Sequence, residues 1–150
     1  MVTGRNDETS RRIHLGMVGG GADAFIGGVY RIAARLDDKF ELVAGALSST
    51  PEKSRESGEA LSLERMYDDF KQMAIRETRL ESGIEAVSIV TPNHVHYAAA
   101  REFLRRGVHG ICGKLLNSIL GHAKKLGKAA ERSNALFILS HNCSGFSMVR

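Results

Sequence analysis

Glycine is concentrated at one place in this chain, Gly16-Met17-Val18-Gly19-Gly20-Gly21-Ala22-Asp23-Ala24-Phe25-Ile26-Gly27. An apolar run precedes it and an amphipathic pattern follows it. The frame Gly19-x-Gly21-x-x-Ala24 has the spacing of a dinucleotide-binding turn, whose last position takes glycine or alanine. In that frame Gly19 permits the tight turn, Gly21 lets backbone approach a pyrophosphate, and Ala24 is small enough for helix and strand to pack closely. A helix beginning there offers free N–H groups and a positive dipole end to phosphate. The candidate phosphate contacts are therefore Gly19, Gly20, Gly21, Ala22, Ala24, Phe25 and Ile26. Asp23 is discordant, because a carboxylate beside a pyrophosphate repels it unless it points away or caps the helix. A tight turn that binds nothing is the plain alternative.

Three further clusters bear on the same chemistry. Leu47-Ser48-Ser49-Thr50 stands where a dinucleotide site usually ends its second strand in an acid that holds ribose hydroxyls. Ser48 and Ser49 suit a ribose or a 2′-phosphate, and Lys53 and Arg55 follow, so NAD and NADP are both expected, with a lean to NADP. Thr91-Pro92-Asn93-His94-Val95-His96 follows the fourth apolar run, where ligands of open α/β sheets collect. Thr91, Pro92, Asn93 and His96 are its candidate contacts. Lys114 follows the fifth run and can bring positive charge to the nicotinamide side of the same cleft. Asn93 as a simple helix cap and Lys114 as a solvated side chain are the plain alternatives.

These residues need a scaffold, and the sequence supplies an alternation of strand and helix signals. Residues 13–18 form a short apolar run suited to a buried parallel strand. Phe25, Ile26, Val29, Ile32, Ala33 and Leu36 then recur at helical spacing and make one apolar face. A second strand is predicted over 40–47, followed by a helix from Pro51 to about Glu59. Residues 65–67 suggest a short third strand, and Asp68 is placed to cap a helix running to about Ser82, where Gly83 stops it. Strands over 86–90, 108–112 and 136–139 complete the series. Asn93 caps the helix after the fourth strand and Ser118 opens the helix after the fifth. The prediction is an α/β, doubly wound parallel sheet of six strands, the Rossmann fold. Its domain spans 12–140, after a loose polar tail over 1–11, with 141–150 beginning a crossover.

Composition fits this. The 150 residues are 43% hydrophobic and 25% charged, enough for one globular domain with its own core. A net charge of +4, spread along the chain, gives no nucleic-acid surface. No run reaches membrane-spanning length, so no membrane partner is expected. Cys112 and Cys143 have no metal-ligand spacing, and a buried thiol at Cys112 suits a reducing compartment. Ser10-Arg11-Arg12 looks like a twin-arginine export signal, but the stretch behind it is short, rich in glycine and interrupted by Asp23. A cytoplasmic location is expected.

Taken together, 16–27, Ala86-Val87-Ser88-Ile89-Val90-Thr91-Pro92-Asn93-His94, 108–118 and Ser140-His141-Asn142 resemble the amino-terminal domain of the glucose–fructose oxidoreductase, inositol dehydrogenase and rhizopine-catabolism family. The resemblance covers nearly the whole chain. It implies NAD(P) bound across the strand ends and hydride exchange with a sugar, inositol or similar polyol. It also implies that Thr91-Pro92-Asn93 lines the cofactor, that Lys114 lies near nicotinamide and substrate, and that His141 and Asn142 enter the cleft. Two positions depart from the family pattern: Gly113 replaces an acid before the lysine and Leu115 replaces a proline after it. The resemblance further implies a second α/β domain that completes the substrate pocket, so this chain by itself is expected to lack turnover and to expose apolar surface that favours self-association. The alternatives are a non-catalytic dinucleotide-binding or interaction module, a truncated remnant of such an enzyme, or an S-adenosylmethionine-dependent methyltransferase, which fits the Thr91 and Lys114 segments less well.

Overall fold

The computed structural model describes residues 11–114 and 119–141. Along the chain run β1 (Ile13–Gly19), α1 (Phe25–Leu36), β2 (Phe40–Ala46), α2 (Pro51–Ala60), β3 (Arg65–Met66), α3 (Phe70–Glu77), β4 (Ala86–Val90), α4 (Asn93–Leu104), β5 (His109–Cys112), α5 (Leu120–Arg132) and β6 (Phe137–Leu139). The described strands form one all-parallel sheet in the order β3-β2-β1-β4-β5-β6. Strands buried on both faces read as continuous apolar runs, and β1 and β4 do. The chain winds outward from β1 to β3, then crosses back to lay β4 beside β1. That reversal creates the crevice in which ligands of such sheets sit.

The two faces of the sheet are unequally covered. On one, Val18, Val87, Ile89 and Cys112 pack with Met73, Ala99, Phe103, Leu104 and Leu126 from α3, α4 and α5. The other carries a smaller cluster of Met17, Leu47 and Leu63, flanked by Tyr30, Leu42, Leu61 and Val90. The apolar stripe expected on α1 exists, but it faces solvent: Phe25, Ile26, Val29, Ile32 and Leu36 are all exposed. The helix buries Gly27 and Arg31 instead. Its glycine edge is turned inward against the loop after β1, and that rotation carries the large side chains outward.

Several boundaries differ from the sequence reading for identifiable reasons. Asp69, not Asp68, caps α3, accepting from the N–H groups of Lys71 at 2.7 Å and Gln72 at 2.9 Å. Asp68 is held by Arg55 across the surface. Helix α3 ends at Glu77 rather than near Ser82, because turn-type bonds from Leu80 to Glu77 and from Gly83 to Leu80 fold the chain back. Pro92 occupies the cap position of α4, so Asn93 is its first helical residue and caps nothing. Ser118, expected to open α5, lies outside the described residues; Ile119 precedes the helix. Arg12 sits just before β1 and pairs with exposed Asp38, while Arg11, assigned to a loose tail, pairs with Glu85.

One polar cluster ties the core together. Glu77 is fully buried and receives Arg65 Nε at 2.8 Å, Tyr67 Oη at 2.6 Å and the N–H of Ile84 at 3.1 Å. It joins β3, α3 and the approach to β4. Burial, followed by the hydrogen bond to Glu77, pushes the Tyr67 hydroxyl up from 10.0 to about 12. Burial alone pushes the Cys112 thiol up from 9.0 to about 12. Both groups fold in their neutral form. Their contribution is complete below pH 9 and is lost as pH rises toward 12. Melting temperature should therefore hold level to pH 9 and fall above it, and Cys112→Ala should remove the part of the fall that begins first. A melting temperature unchanged from pH 9 to pH 11, or a fall identical in Cys112→Ala, contradicts this.

Candidate functional site

The strand order brings the glycine turn and the Thr91 loop together. Gly19 pairs with Val90 at the carboxyl ends of β1 and β4. Gly19 and Gly20 have φ of 74° and 66°, a region side chains resist, and a Cβ on Gly19 would lie 2.9 Å from the Thr91 methyl. The small third residue of the motif is Gly27, not Ala24. Ala24 is an exposed cap residue, whereas a Cβ on Gly27 would sit 2.3 Å from the carbonyl oxygen of Gly20. Gly21 answers to a different neighbour than expected: a Cβ there would meet Ser57 Oγ of α2 at 2.9 Å. Ala22 is half-buried, and Asp23, Phe25 and Ile26 are exposed at the start of α1.

A cleft of about 750 Å³ opens beside this turn. Its floor is the thinly covered sheet face, with Leu15, Ser88 and Ile111, and its wall is α1. Its polar end gathers Thr91, Pro92, His96, Gly113, Lys114 and His141. His96 is buried, and its Nε2 lies 2.9 Å from the carbonyl oxygen of Thr91, so that ring nitrogen donates to the loop and fixes it. Ser88 Oγ and Thr91 Oγ1 are buried without a hydrogen-bond partner among the described residues. Buried hydroxyls are rarely left so, and two of them lining one cleft suit a polar ligand. Lys114 is exposed at the rim, just past Gly113, whose N–H donates to the carbonyl of Ile89 at 3.1 Å.

At the opposite end, Ser48 accepts from the N–H of Thr50 at 3.3 Å and Ser49 is exposed. The two cations expected near a 2′-phosphate are not equivalent. Arg55 is engaged by Asp68 through three contacts of 2.9–3.1 Å, while Lys53 is exposed. Arg55 is therefore ion-paired on the surface in this structure. Asn142 lies outside the described residues.

Sequence reasoning overlooked Tyr30. Its hydroxyl is hydrogen-bonded to Ser140 Oγ, bridging α1 to the segment after β6. A Cβ on Gly113 would lie 3.5 Å from that hydroxyl and 3.9 Å from His96 Cε1. A tyrosine beside an aliphatic stripe carries a polar tip that needs a partner, which was the available signal. Arg31 was overlooked too, since a helical arginine reads as solvated.

The sequence profile of an oxidoreductase family with an NAD-binding Rossmann fold matches residues 13–141. The chain belongs to the Gfo/Idh/MocA oxidoreductase family. It supplies the family's NAD-binding Rossmann domain. Among solved structures, an oxidoreductase from Sinorhizobium meliloti is 68% identical with a TM-score of 0.89, over 94% of this chain and 40% of that one. An inositol dehydrogenase homolog from Azotobacter vinelandii, complexed with NADH and myo-inositol, is 38% identical with a TM-score of 0.83, over 87% and 35%. The uncharacterized oxidoreductase YfiI of Bacillus subtilis is 34% identical over 93% of this chain and 36% of its own length. The chain thus spans roughly a third to two fifths of these Gfo/Idh/MocA relatives. Among the described residues, no helix is long and apolar enough to cross a membrane.

Proposed function

We propose that the chain binds NAD(P) across the carboxyl ends of β1, β4 and β5, as the cofactor-holding part of an oxidoreductase acting on a polyol or sugar. The observation that carries this is the unpartnered Thr91 hydroxyl and Lys114 on one cleft, with the glycine turn set next to Thr91 by the pairing of Gly19 with Val90. Gly19, Gly20, Gly21 and Ala22 cradle the pyrophosphate, with Ala24, Phe25 and Ile26 at the helix start. Ser48 and Ser49 meet the adenosine ribose. Thr91, Pro92, Asn93 and His96 line the far half. The bound cofactor supplies the hydride chemistry. Lys114 places positive charge near the reacting oxygen. The Azotobacter relative complexed with myo-inositol supports a polyol substrate.

A second reading, a dinucleotide-binding module without turnover, is favoured by Gly113, which leaves Lys114 with no carboxylate at the adjacent position. The exposed stripe on α1 supports self-association of the isolated chain. The buried thiol of Cys112 suits a reducing, cytoplasmic setting.

Titration with NADH and NADPH, followed by nicotinamide fluorescence, tests the reading. Both should bind, and Ser48→Asp should shift the preference toward NADH by about tenfold, because a carboxylate repels the 2′-phosphate. No binding of either at millimolar concentration overturns it. An unchanged affinity ratio in Ser48→Asp removes Ser48 from the ribose site.

A further inference from the structure

Arg31 lies in the middle of α1 and is only 8% exposed. Among the described residues no carboxylate meets it. Its Nη1 donates to the carbonyl oxygen of Gly20 at 2.6 Å and its Nη2 to that of Ala22 at 3.4 Å, with Met17 Sδ 3.9 Å from Nη1. Burial, then the nearby charge of Arg35, lowers its pKa from 12.5, but a guanidinium keeps its proton. A buried cation without a counter-charge is costly, and a solvated arginine would avoid that cost.

The two carbonyls it holds belong to the glycine turn. In a planar trans peptide the carbonyl and the following N–H point in opposite directions. Drawing the Gly20 and Ala22 carbonyls toward the guanidinium therefore turns the N–H groups of Gly21 and Asp23 away from it. Neither of those N–H groups donates to another described group. We propose that Arg31 is a positioning residue for the cofactor pyrophosphate: it clamps the turn from behind so that its N–H groups face the phosphates, and the anion completes the charge balance that the protein leaves open. This rests on the NAD(P) reading above. It also accounts for a turn that tolerates Asp23, since a fixed positive charge lies on its inner side.

The test compares the 150-residue chain with Arg31→Met and Arg31→Lys, titrated with NADH, ADP-ribose and adenosine. Arg31→Met should weaken NADH and ADP-ribose by roughly tenfold or more, the scale of a charge-assisted hydrogen bond, and adenosine by less than about twofold. Arg31→Lys, which keeps the charge but not the fork, should recover part of the loss, and it carries the comparison if the methionine variant does not fold. Equal weakening of all three ligands reduces Arg31 to general structural support and overturns the proposal, as does unchanged NADH affinity. If the unaltered chain binds neither NADH nor ADP-ribose, the cofactor reading fails by itself. Amide hydrogen exchange then still decides the orientation: Arg31→Met should change the rates at Gly21 and Asp23, and unchanged rates overturn the clamp.

Discussion

Gly27→Val is expected to abolish dinucleotide binding and to destabilise the fold by about 1–3 kcal/mol, the usual cost of overpacking. The added Cβ would stand 2.3 Å from the carbonyl oxygen of Gly20 and 2.6 Å from its Cα. Those are backbone atoms, so no side chain can swing aside. Helix α1 must back away as a body, taking with it the Arg31 contacts to the turn and the helix N-terminus proposed above to face the phosphates. The measurement is paired: cofactor titration, and a urea midpoint at constant slope. Gly127→Ala is the control. Gly127 is exposed within α5 with nothing within 4 Å of an added Cβ, and alanine there should stabilise by about 0.5–1 kcal/mol and leave binding unchanged. Normal NADH affinity in Gly27→Val would show that the close approach of helix and turn is not needed.

Glu77→Ala should be the most damaging change to stability, at about 3–5 kcal/mol, because it strands a partner of a buried ion pair. Arg65 would lose its deepest counter-charge, the Tyr67 hydroxyl its acceptor, and the Ile84 N–H its bond. A typical domain has only about 5–15 kcal/mol in total, so partial unfolding at room temperature is expected. Replacing both sides, Glu77→Leu with Arg65→Met, should recover much of the loss, since hydrophobic substitutes for a buried pair are often tolerated. Denaturant unfolding of the two single variants and the double variant measures the coupling. A loss below about 1 kcal/mol in Glu77→Ala would mean that water replaces the carboxylate without penalty.

The centre of the sheet was legible because strands covered on both sides are largely apolar, as β1 and β4 are, whereas β3 and β6 at the edges are only partly buried. What local sequence leaves open is decided by distant contacts. Asp68 and Asp69 are equally good caps, and Arg55 of α2 claims the first. Ala24 and Gly27 are both small enough to close the glycine motif, and only the distance from helix to turn selects Gly27. Periodicity shows that α1 has an apolar stripe but not which way the stripe looks. The Arg55–Asp68 pair, which engages a cation expected at the ribose end, joins residues thirteen apart in sequence, a pairing no local pattern displays.

The strand order also has a kinetic consequence. Leu15 of β1 pairs on one side with Leu42 of β2, and on the other with Ala86 of β4, which follows three helices and two further strands. Pairing between such distant segments is slow, because the intervening chain must be ordered before the contact returns any stability. During synthesis β2 emerges first and can dock, while the other edge of β1 stays bare until β4 arrives. The crevice between β1 and β4 is therefore the last part of the centre to close. Until then the chain carries an open apolar edge of the kind that recruits neighbouring chains, which makes the birth of the binding site its most aggregation-prone moment.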